Sequence, residues 1–279
     1  MEYNGQLSPS QTTEILREIG HSPVKKFGQN FLVDANIVRK SLELAEVSAG
    51  DTVVEVGPGL GTLTGALLER GAKVYAVELD KRLFEFLKGR FGGNPNLDLI
   101  NADAVEYPLA NLPPAADNFK VVANLPYAIS TPWLDKILAG RLPQKMSLML
   151  QKEAALRFAA RNGSGEFSPI SVLLSEAYDV QTPHKVSAAC FHPRPSVDSM
   201  LLPLSKKPDA YTFAPKTREI MRAVFSKRRK QMLSIAKSAG ADSAILLEWL
   251  EASPDLPPDR RPEAIENRHW VNLDKLARK

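Results

Sequence analysis

Four consecutive residues, Asn124-Leu125-Pro126-Tyr127, combine groups that could activate an amine attached to an aromatic ring. Such an amine is a poor nucleophile because its lone pair is delocalised into the ring. Two hydrogen-bond acceptors aimed at its hydrogens favour a pyramidal nitrogen. The Asn124 side-chain oxygen and the carbonyl of Leu125 or Pro126 can supply these acceptors, and Tyr127 can stack on the ring. The segment therefore predicts a reaction centre that acts on such an amine.

The same four residues also suit an ordinary turn, since Asn and Pro are common turn residues. They follow a predicted strand, 119–123, and so lie at the carboxyl edge where open α/β sheets bind ligands. This position, together with the glycine loop and acids that precede it in the chain, favours the reaction centre over the turn.

A glycine loop, Gly57-Pro58-Gly59-Leu60-Gly61, follows the predicted strand 52–56. Its G-x-G-x-G spacing differs from the G-x-G-x-x-G of dinucleotide enzymes. Pro58 has no N–H and no Lys-Ser/Thr follows, so the loop is a poor phosphate cradle. Gly57 and Gly59 would let a ligand without phosphates approach the backbone closely. Tight packing between a strand and a helix is the alternative explanation of the loop.

Two acids follow the next two predicted strands. Glu78 is placed to accept hydrogen bonds from a ribose diol, and Asp103 could accept one from an adenine amino group. Either acid alone could instead be a helix cap. Their order after the glycine loop predicts a site for an adenosine moiety.

The elements that must position these residues alternate along the chain. Short apolar runs predict strands at 52–56, 73–77, 97–100, 119–123, 145–150 and 199–204, and helical periodicity predicts helices at 60–70, 81–90 and 152–160. This alternation predicts an α/β fold with a doubly wound, mostly parallel sheet.

The pattern beyond the predicted linker Lys206-Lys207-Pro208 is helical. If 217–238 were one helix, Arg228 would lie within an apolar stripe that includes Met221, Val224, Phe225, Met232 and Ile235. Burying an unpaired guanidinium is costly. We therefore predict a break near Ser226, with Lys227-Arg228-Arg229-Lys230 on a turn between two short helices.

The positive charge of the chain is concentrated in one segment. Residues 206–237 contain ten Lys/Arg and two acids, a net charge of +8, whereas the rest carries −4 and the whole chain +4. Such asymmetry is typical of a polyanion-binding surface, although a solvated helix face can look the same.

Other features narrow the class of protein. The 279 residues, 44% of them hydrophobic, can bury an α/β core and a smaller second domain. Cys190 is the one cysteine, no apolar run reaches roughly 20 residues, and no leader is recognisable. We therefore expect a cytoplasmic protein without membrane association. His21, His184, His192 and His269 are scattered, so we expect no metal.

Taken together, these segments resemble the ribosomal RNA adenine dimethyltransferases, and most closely their bacterial small-subunit branch. The resemblance covers nearly the whole chain. It is carried by Lys26-Phe27-Gly28-Gln29-Asn30-Phe31-Leu32-Val33-Asp34, Glu55-Val56-Gly57-Pro58-Gly59-Leu60-Gly61, Val77-Glu78-Leu79-Asp80, Asp103-Ala104, Asn124-Leu125-Pro126-Tyr127-Ala128-Ile129-Ser130-Thr131-Pro132 and Phe191-His192-Pro193-Arg194-Pro195-Ser196-Val197-Asp198-Ser199.

The resemblance implies S-adenosylmethionine as the methyl donor. It places cofactor contacts at Asn30, Leu32, Gly57, Glu78, Asp103 and Asn124. It also implies that Phe191 covers the second face of the target base, opposite Tyr127. The implied fold is a class I, Rossmann-like methyltransferase domain at 25–205, after an N-terminal extension at 1–24, with a small helical RNA-binding domain at 206–279.

The implied reaction converts two adjacent adenines near the 3′ end of small-subunit (16S) ribosomal RNA to N6,N6-dimethyladenine during subunit biogenesis. It requires an adenine that is flipped out or in a loop. By this resemblance, the partner is small-subunit RNA or an assembling particle, bound by a monomer. The Lys227–Lys230 turn would contact phosphates without reading sequence.

Three other functions remain open. A large-subunit adenine dimethyltransferase shares the same catalytic residues, but the match at 191–199 and the basic turn favour the small-subunit enzyme. A non-catalytic assembly or transcription factor is disfavoured by the retention of Glu78, Asp103 and Asn124. DNA adenine and protein glutamine methyltransferases commonly use Asp/Asn-Pro-Pro-Tyr in place of Asn-Leu-Pro-Tyr.

Overall fold

A computed structural model describes residues 7–22 and 29–278 of the chain. The motif residues Lys26-Phe27-Gly28 and parts of the predicted N-terminal extension lie outside these ranges. The chain forms two compact units. Unit 1 contains residues 1–155 and 180–206, and unit 2 contains residues 156–179 and 207–279.

Unit 1 is an α/β layer structure. Its helices are α1 (Pro9–Glu18), α2 (Ala35–Leu44), α3 (Thr62–Glu69), α4 (Lys81–Phe91) and α5 (Ser130–Ala139). Its strands are β1 (Phe31–Leu32), β2 (Thr52–Val56), β3 (Lys73–Glu78), β4 (Leu97–Asn101), β5 (Lys120–Asn124), β6 (Lys145–Gln151), β8 (His184–Val186), β9 (Phe191–His192) and β10 (Ser199–Lys206). α6 (Lys152–Phe158) and β7 (Tyr178–Val180) carry the chain from one unit to the other.

The main sheet of unit 1 follows the order β4-β3-β2-β5-β6-β10, with β8 also paired to β10. The pairs from β4 to β6 are parallel, and β10 is antiparallel to β6. This confirms the predicted doubly wound, mostly parallel sheet. The order reverses between β2 and β5, so ligands are expected in the crevice at the carboxyl ends of these two strands.

The central strands are recognisable in sequence because they are buried on both faces. In β2 the last four residues are all buried, and β3 is buried after its first residue. Strands of this kind read as continuous β-branched and apolar runs. Asp80 caps α4 by accepting hydrogen bonds from the N–H groups of Arg82 and Leu83, which fixes the chain direction just after β3.

Unit 2 is helical. It contains α7 (Pro169–Ala177), α8 (Pro215–Ser226), α9 (Met232–Lys237), α10 (Ser243–Glu251) and α11 (Asn267–Ala277). Trp270 packs against Trp249 and Phe225 at ring-centroid distances of 5.3 and 5.4 Å. The boundary at 206/207 falls at the predicted linker. The unit also includes 156–179, a segment that the sequence pattern assigns to the first domain.

The predicted break near Ser226 is confirmed, since α8 ends at Ser226 and α9 begins at Met232. The break lets the apolar side chains of both helices reach the core while Arg228 stays half-exposed. Its Nη2 donates to the Gly165 carbonyl at 2.8 Å, and its Nε lies 4.0 Å from the Glu263 carboxylate. The break thus avoids the cost of burying an unpaired guanidinium. Across residues 7–22 and 29–278, no helix is long and apolar enough to cross a membrane.

Candidate active site

The predicted site residues meet at one edge of the sheet. Because β2 to β5 are parallel, their carboxyl ends share this edge. There they surround a cavity of about 580 Å³. Its walls include every residue predicted to bind the cofactor and all four of the reaction-centre segment: Asn30, Leu32, Gly57, Gly59, Glu78, Asp103, Asn124, Leu125, Pro126 and Tyr127.

The glycine loop needs its glycines for two separate reasons. Gly57 and Gly59 have φ angles of +64° and +62°, in the left-handed region that disfavours other residues. A Cβ on Gly59 would also lie 3.1 Å from the Phe31 ring. The backbone of the loop therefore forms the cavity wall directly, as expected of a loop that a ligand approaches closely.

Glu78 is held by the loop it faces. Its Oε2 accepts a hydrogen bond from the Gly59 N–H at 3.0 Å, and its Oε1 accepts one from the Asp80 N–H at 2.9 Å. Burial raises the pKa of the carboxyl to about 7, although these backbone hydrogen bonds act in the opposite direction. Each oxygen keeps lone-pair capacity for a ligand hydroxyl. Glu78 is therefore oriented before any ligand arrives.

Glu55 also lines the cavity, although its position in the sequence predicts only a strand residue. It is 1% exposed, and its Oε2 accepts from the Thr64 hydroxyl at 2.7 Å. Its Oε1 is buried and has no hydrogen-bond partner among the described residues. An acid inside the apolar run Thr52–Val56 was the available signal. With Glu78, it gives the wall two buried carboxyl groups, which suits a ligand that carries positive charge.

The Glu55 carboxyl should make the stability of the ligand-free protein depend on pH. Burial, with a smaller contribution from the Glu78 charge, raises its pKa from 4.5 to about 8. Between these values the folded state holds a proton that the unfolded state has lost, so stability falls as pH rises. We expect Glu55→Gln to unfold at a clearly higher temperature than the wild type at pH 8 and at nearly the same temperature at about pH 5.

Thermal unfolding of both proteins at the two pH values measures this effect. Glu78, whose pKa is raised to about 7, acts in the same direction and remains in both proteins. The comparison therefore isolates Glu55. A difference in unfolding temperature that does not change with pH would contradict the assignment.

Asn124 is oriented by the segment before α2. Its Nδ2 donates to the Asn30 carbonyl at 3.1 Å. Its Oδ1 accepts no hydrogen bond within the described part of the chain, and the residue lines the cavity. The amide is therefore fixed with its donor side occupied and its acceptor available.

The second acceptor is better assigned to Leu125 than to Pro126. The Pro126 carbonyl accepts from the Ile129 N–H at 3.1 Å and so closes a turn. The Leu125 N–H donates to the Met149 carbonyl at 3.2 Å, which anchors Leu125 to β6. Its carbonyl accepts no hydrogen bond from the residues that the structure describes. The structure thus favours one of the two alternatives left by the sequence.

Tyr127 is half-buried at the end of this segment. Its hydroxyl lies 3.0 Å from the Ser199 Oγ, and burial raises its pKa. Tyr127 is one of the residues that line the cavity, and its stacking on a base stays a prediction.

The structure does not bring Phe191 to the cavity. Its Cα pairs with that of Leu32 between β9 and β1, and the side chain is 4% exposed within the apolar cluster that contains Leu32, Val38 and Leu201. Because side chains alternate along a strand, the next residue, His192, points elsewhere and reaches the Thr13 hydroxyl at 3.0 Å. In this structure Phe191 therefore packs in the core, and its role in covering the target base stays a prediction.

The basic turn, Lys227–Lys230, lies in unit 2, and its four side chains differ in whether they have partners. The Lys227 Nζ donates to the Ser238 carbonyl at 3.1 Å, and Arg228 is held by Gly165 and Glu263. Arg229 and Lys230 are exposed. Neither side chain makes a hydrogen bond or ion pair within residues 7–22 and 29–278. Two of the four cations therefore remain available to a polyanion.

These features define a class I S-adenosylmethionine-dependent methyltransferase. They are the sheet topology, the glycine loop, and the two acids and Asn-Leu-Pro-Tyr at successive strand ends. No group of three or more His, Cys, Asp or Glu residues in the described ranges could hold a metal ion.

Comparison with known proteins gives the family. Residues 20–245 match the family of ribosomal RNA adenine dimethylases, and the chain belongs to it. It is similar to the ribosomal RNA small subunit methyltransferase A of Opitutus terrae, with 51% identity over 96% of this chain and 98% of that protein. The protein of the same name from Moorella thermoacetica is 37% identical over 96% and 97% of the two chains.

A solved structure supports the same assignment. The chain resembles a dimethyladenosine transferase from Plasmodium falciparum with a TM-score of 0.70 and 26% identity, over 87% of this chain and 95% of that one. The family membership confirms the resemblance inferred from the motifs.

Proposed function

We propose that this protein transfers methyl groups from S-adenosylmethionine to the N6 amines of two adjacent adenosines near the 3′ end of small-subunit ribosomal RNA, giving N6,N6-dimethyladenosines during subunit assembly. The observation that carries the proposal is the oriented Asn124 amide on the wall of a cavity shared with Glu78 and Asp103. The names of the relatives from Opitutus terrae and Moorella thermoacetica support the small subunit as the source of the RNA. We also propose that the reaction takes place in the cytoplasm, where such a substrate would be assembled.

The cavity fits the methyl donor. Glu78 would accept from its ribose hydroxyls and Asp103 from its adenine amine, while the unpartnered oxygen of Glu55 suits its ammonium group. When bound, S-adenosylmethionine supplies an electrophilic methyl group on a sulfonium. We propose that no metal takes part.

The protein's own residues act on the target amine. The Asn124 Oδ1 and the Leu125 carbonyl accept hydrogen bonds from its two hydrogens and hold the nitrogen pyramidal, so that its lone pair is available for attack. The Tyr127 ring stacks on the base and keeps the amine in line. Methylation makes the amine acidic, so water can take the proton and no strong general base is needed.

Incubating the purified protein with labelled S-adenosylmethionine and immature small or large ribosomal subunits tests this function. Mass spectrometry of the digested RNA then identifies the modified nucleosides. We expect dimethyladenosine in small-subunit RNA only. Its absence there would refute the proposal, and its presence in large-subunit RNA alone would make the protein a large-subunit dimethyltransferase.

We further propose that Arg229 and Lys230 contact RNA phosphates. Replacing both by Ala should weaken binding of a small-subunit RNA fragment and reduce the slope of log K against log salt by roughly one for each residue. Arg268→Ala is the matched control, because Arg268 is an exposed cation of the same unit that pairs with Asp255 and Glu266 at 2.9 Å. A salt slope that is the same in the double variant and the wild type would make the turn an ordinary solvated surface.

A further inference from the structure

Tyr127 has a buried partner outside the reaction-centre segment. Ser199 is the first residue of β10, and its Oγ lies 3.0 Å from the Tyr127 hydroxyl. Ser199 is 0% exposed, whereas Tyr127 is half-buried on the cavity wall. The contact joins residues 72 positions apart in the chain. A side chain of the site is thus tied to a strand that contributes no residue to the cavity wall.

Ser199 is held rigidly by the sheet. Its Cα pairs with that of Gln151 in β6 and with that of Val186 in β8, so it has a ladder partner on both sides. The preceding residue, Asp198, adds two anchors. It accepts from the Ala188 N–H at 3.2 Å and forms an ion pair with Lys185 at 3.1 Å. The Ser199 hydroxyl therefore occupies a fixed position in unit 1.

Tyr127 has few other restraints. It lies in the short connection between β5, which ends at Asn124, and α5, which begins at Ser130. The bond to Ser199 is the hydrogen bond that its side chain makes within the described residues. Burial, which raises the pKa of the Tyr127 hydroxyl, also makes loss of its partner costly, because the polar atom would be left unsatisfied. The bond therefore fixes the direction of the ring axis, from the backbone of Tyr127 to Ser199.

We propose that Ser199 is a positioning residue for methyl transfer, which sets the orientation of the Tyr127 ring against the target base. The inference rests on the proposed function, since it assumes that Tyr127 stacks on adenine. Ser199 does not touch the substrate. Its effect reaches the reaction through Tyr127, as a restraint on how the base presents its amine.

A double-mutant cycle tests the proposal. Ser199→Ala and Tyr127→Phe remove the same hydrogen bond from its two ends, and Phe keeps the stacking ring. We expect each variant to lower kcat about tenfold with KM for S-adenosylmethionine within about twofold, and the double variant to be no slower than either single one. Ser147→Ala is the matched control, because Ser147 is a fully buried serine of β6 whose hydroxyl has no partner among the described residues. It should keep wild-type kcat.

Binding of RNA that carries 2-aminopurine at the target position gives a second measurement, which needs no turnover. In the wild type, stacking on Tyr127 should quench the fluorescence of the 2-aminopurine. The quenching should be weaker in both Ser199→Ala and Tyr127→Phe. Additive losses of kcat, or unchanged kcat and quenching in Ser199→Ala, would overturn the role of Ser199. The two proposals can fail separately. If the wild type quenches the 2-aminopurine fluorescence but does not methylate the RNA, the proposed function is wrong. The effect of Ser199 on the Tyr127 ring is then still measured by the quenching in the two variants.

Discussion

Replacing Asn124 by Ala is expected to lower the rate of methyl transfer by about 10²–10³-fold, the effect of removing one preorganised polar group from a reaction centre. RNA binding should be unchanged, because the residue lies in the cavity and not on the basic turn. The Asn124 amide is held by the Asn30 carbonyl at 3.1 Å with its oxygen available to the substrate amine. Single-turnover kinetics with labelled donor and an RNA-binding assay measure both quantities.

Asn111→Ala is the control for this substitution. Asn111 is an exposed asparagine of the same unit that bonds to Asp98 at 3.3 Å and lies outside the cavity lining. Its variant should turn over at the wild-type rate. Undiminished transfer by Asn124→Ala would remove Asn124 from the mechanism.

Replacing Glu78 by Ala is expected to weaken S-adenosylmethionine binding by about a hundredfold, since it removes a charge-assisted acceptor for the ribose. It also leaves the Gly59 and Asp80 N–H groups without the carboxylate that accepts from them at 3.0 and 2.9 Å. Calorimetric titration of the protein with the donor measures the change. Affinity equal to that of the wild type would exclude Glu78 from the cofactor site.

Glu78→Gln separates the effect of the Glu78 charge on donor binding from the effect of its shape, because Gln is an uncharged side chain of the same size that keeps one acceptor oxygen. The pKa of Glu78 is raised to about 7 by burial, so the fraction in the ionised form grows as pH increases through neutrality. Wild-type affinity for the donor should therefore rise from about pH 6 to pH 8. The rise should be shallower in Glu78→Gln, where Glu55 is the one of these two carboxyl groups that still titrates.

Much of unit 1 could be predicted because its strands are buried on both faces. β2, β3 and β5 appear in the sequence as short runs rich in apolar residues, and each ends at or just before a residue that could bind a ligand. Since parallel strands share their carboxyl edge, the order of Gly57, Glu78 and Asn124 was enough to predict one site.

Other features depend on tertiary contacts that no local pattern encodes. The residues around Glu55 predict only that it belongs to a strand, and the packing shows that one of its oxygens has no hydrogen-bond partner among the residues described. Phe191 could not be placed because a two-residue strand gives no reliable alternation, and its pairing with Leu32 decides which way it faces. The segment 156–179 groups with residues 207–279, although its sequence is continuous with the sheet that precedes it.

The two acceptors at the reaction centre have a consequence for the number of methyl groups. An unmodified adenine amine offers one hydrogen to the Asn124 Oδ1 and one to the Leu125 carbonyl, whereas a monomethylated amine has a single hydrogen left. The second transfer must therefore proceed with one acceptor facing a methyl group and unpaired. The two acceptors therefore pair less completely with the monomethylated amine than with the unmodified amine. The first and second methyl transfers to one nitrogen are for this reason chemically unequal.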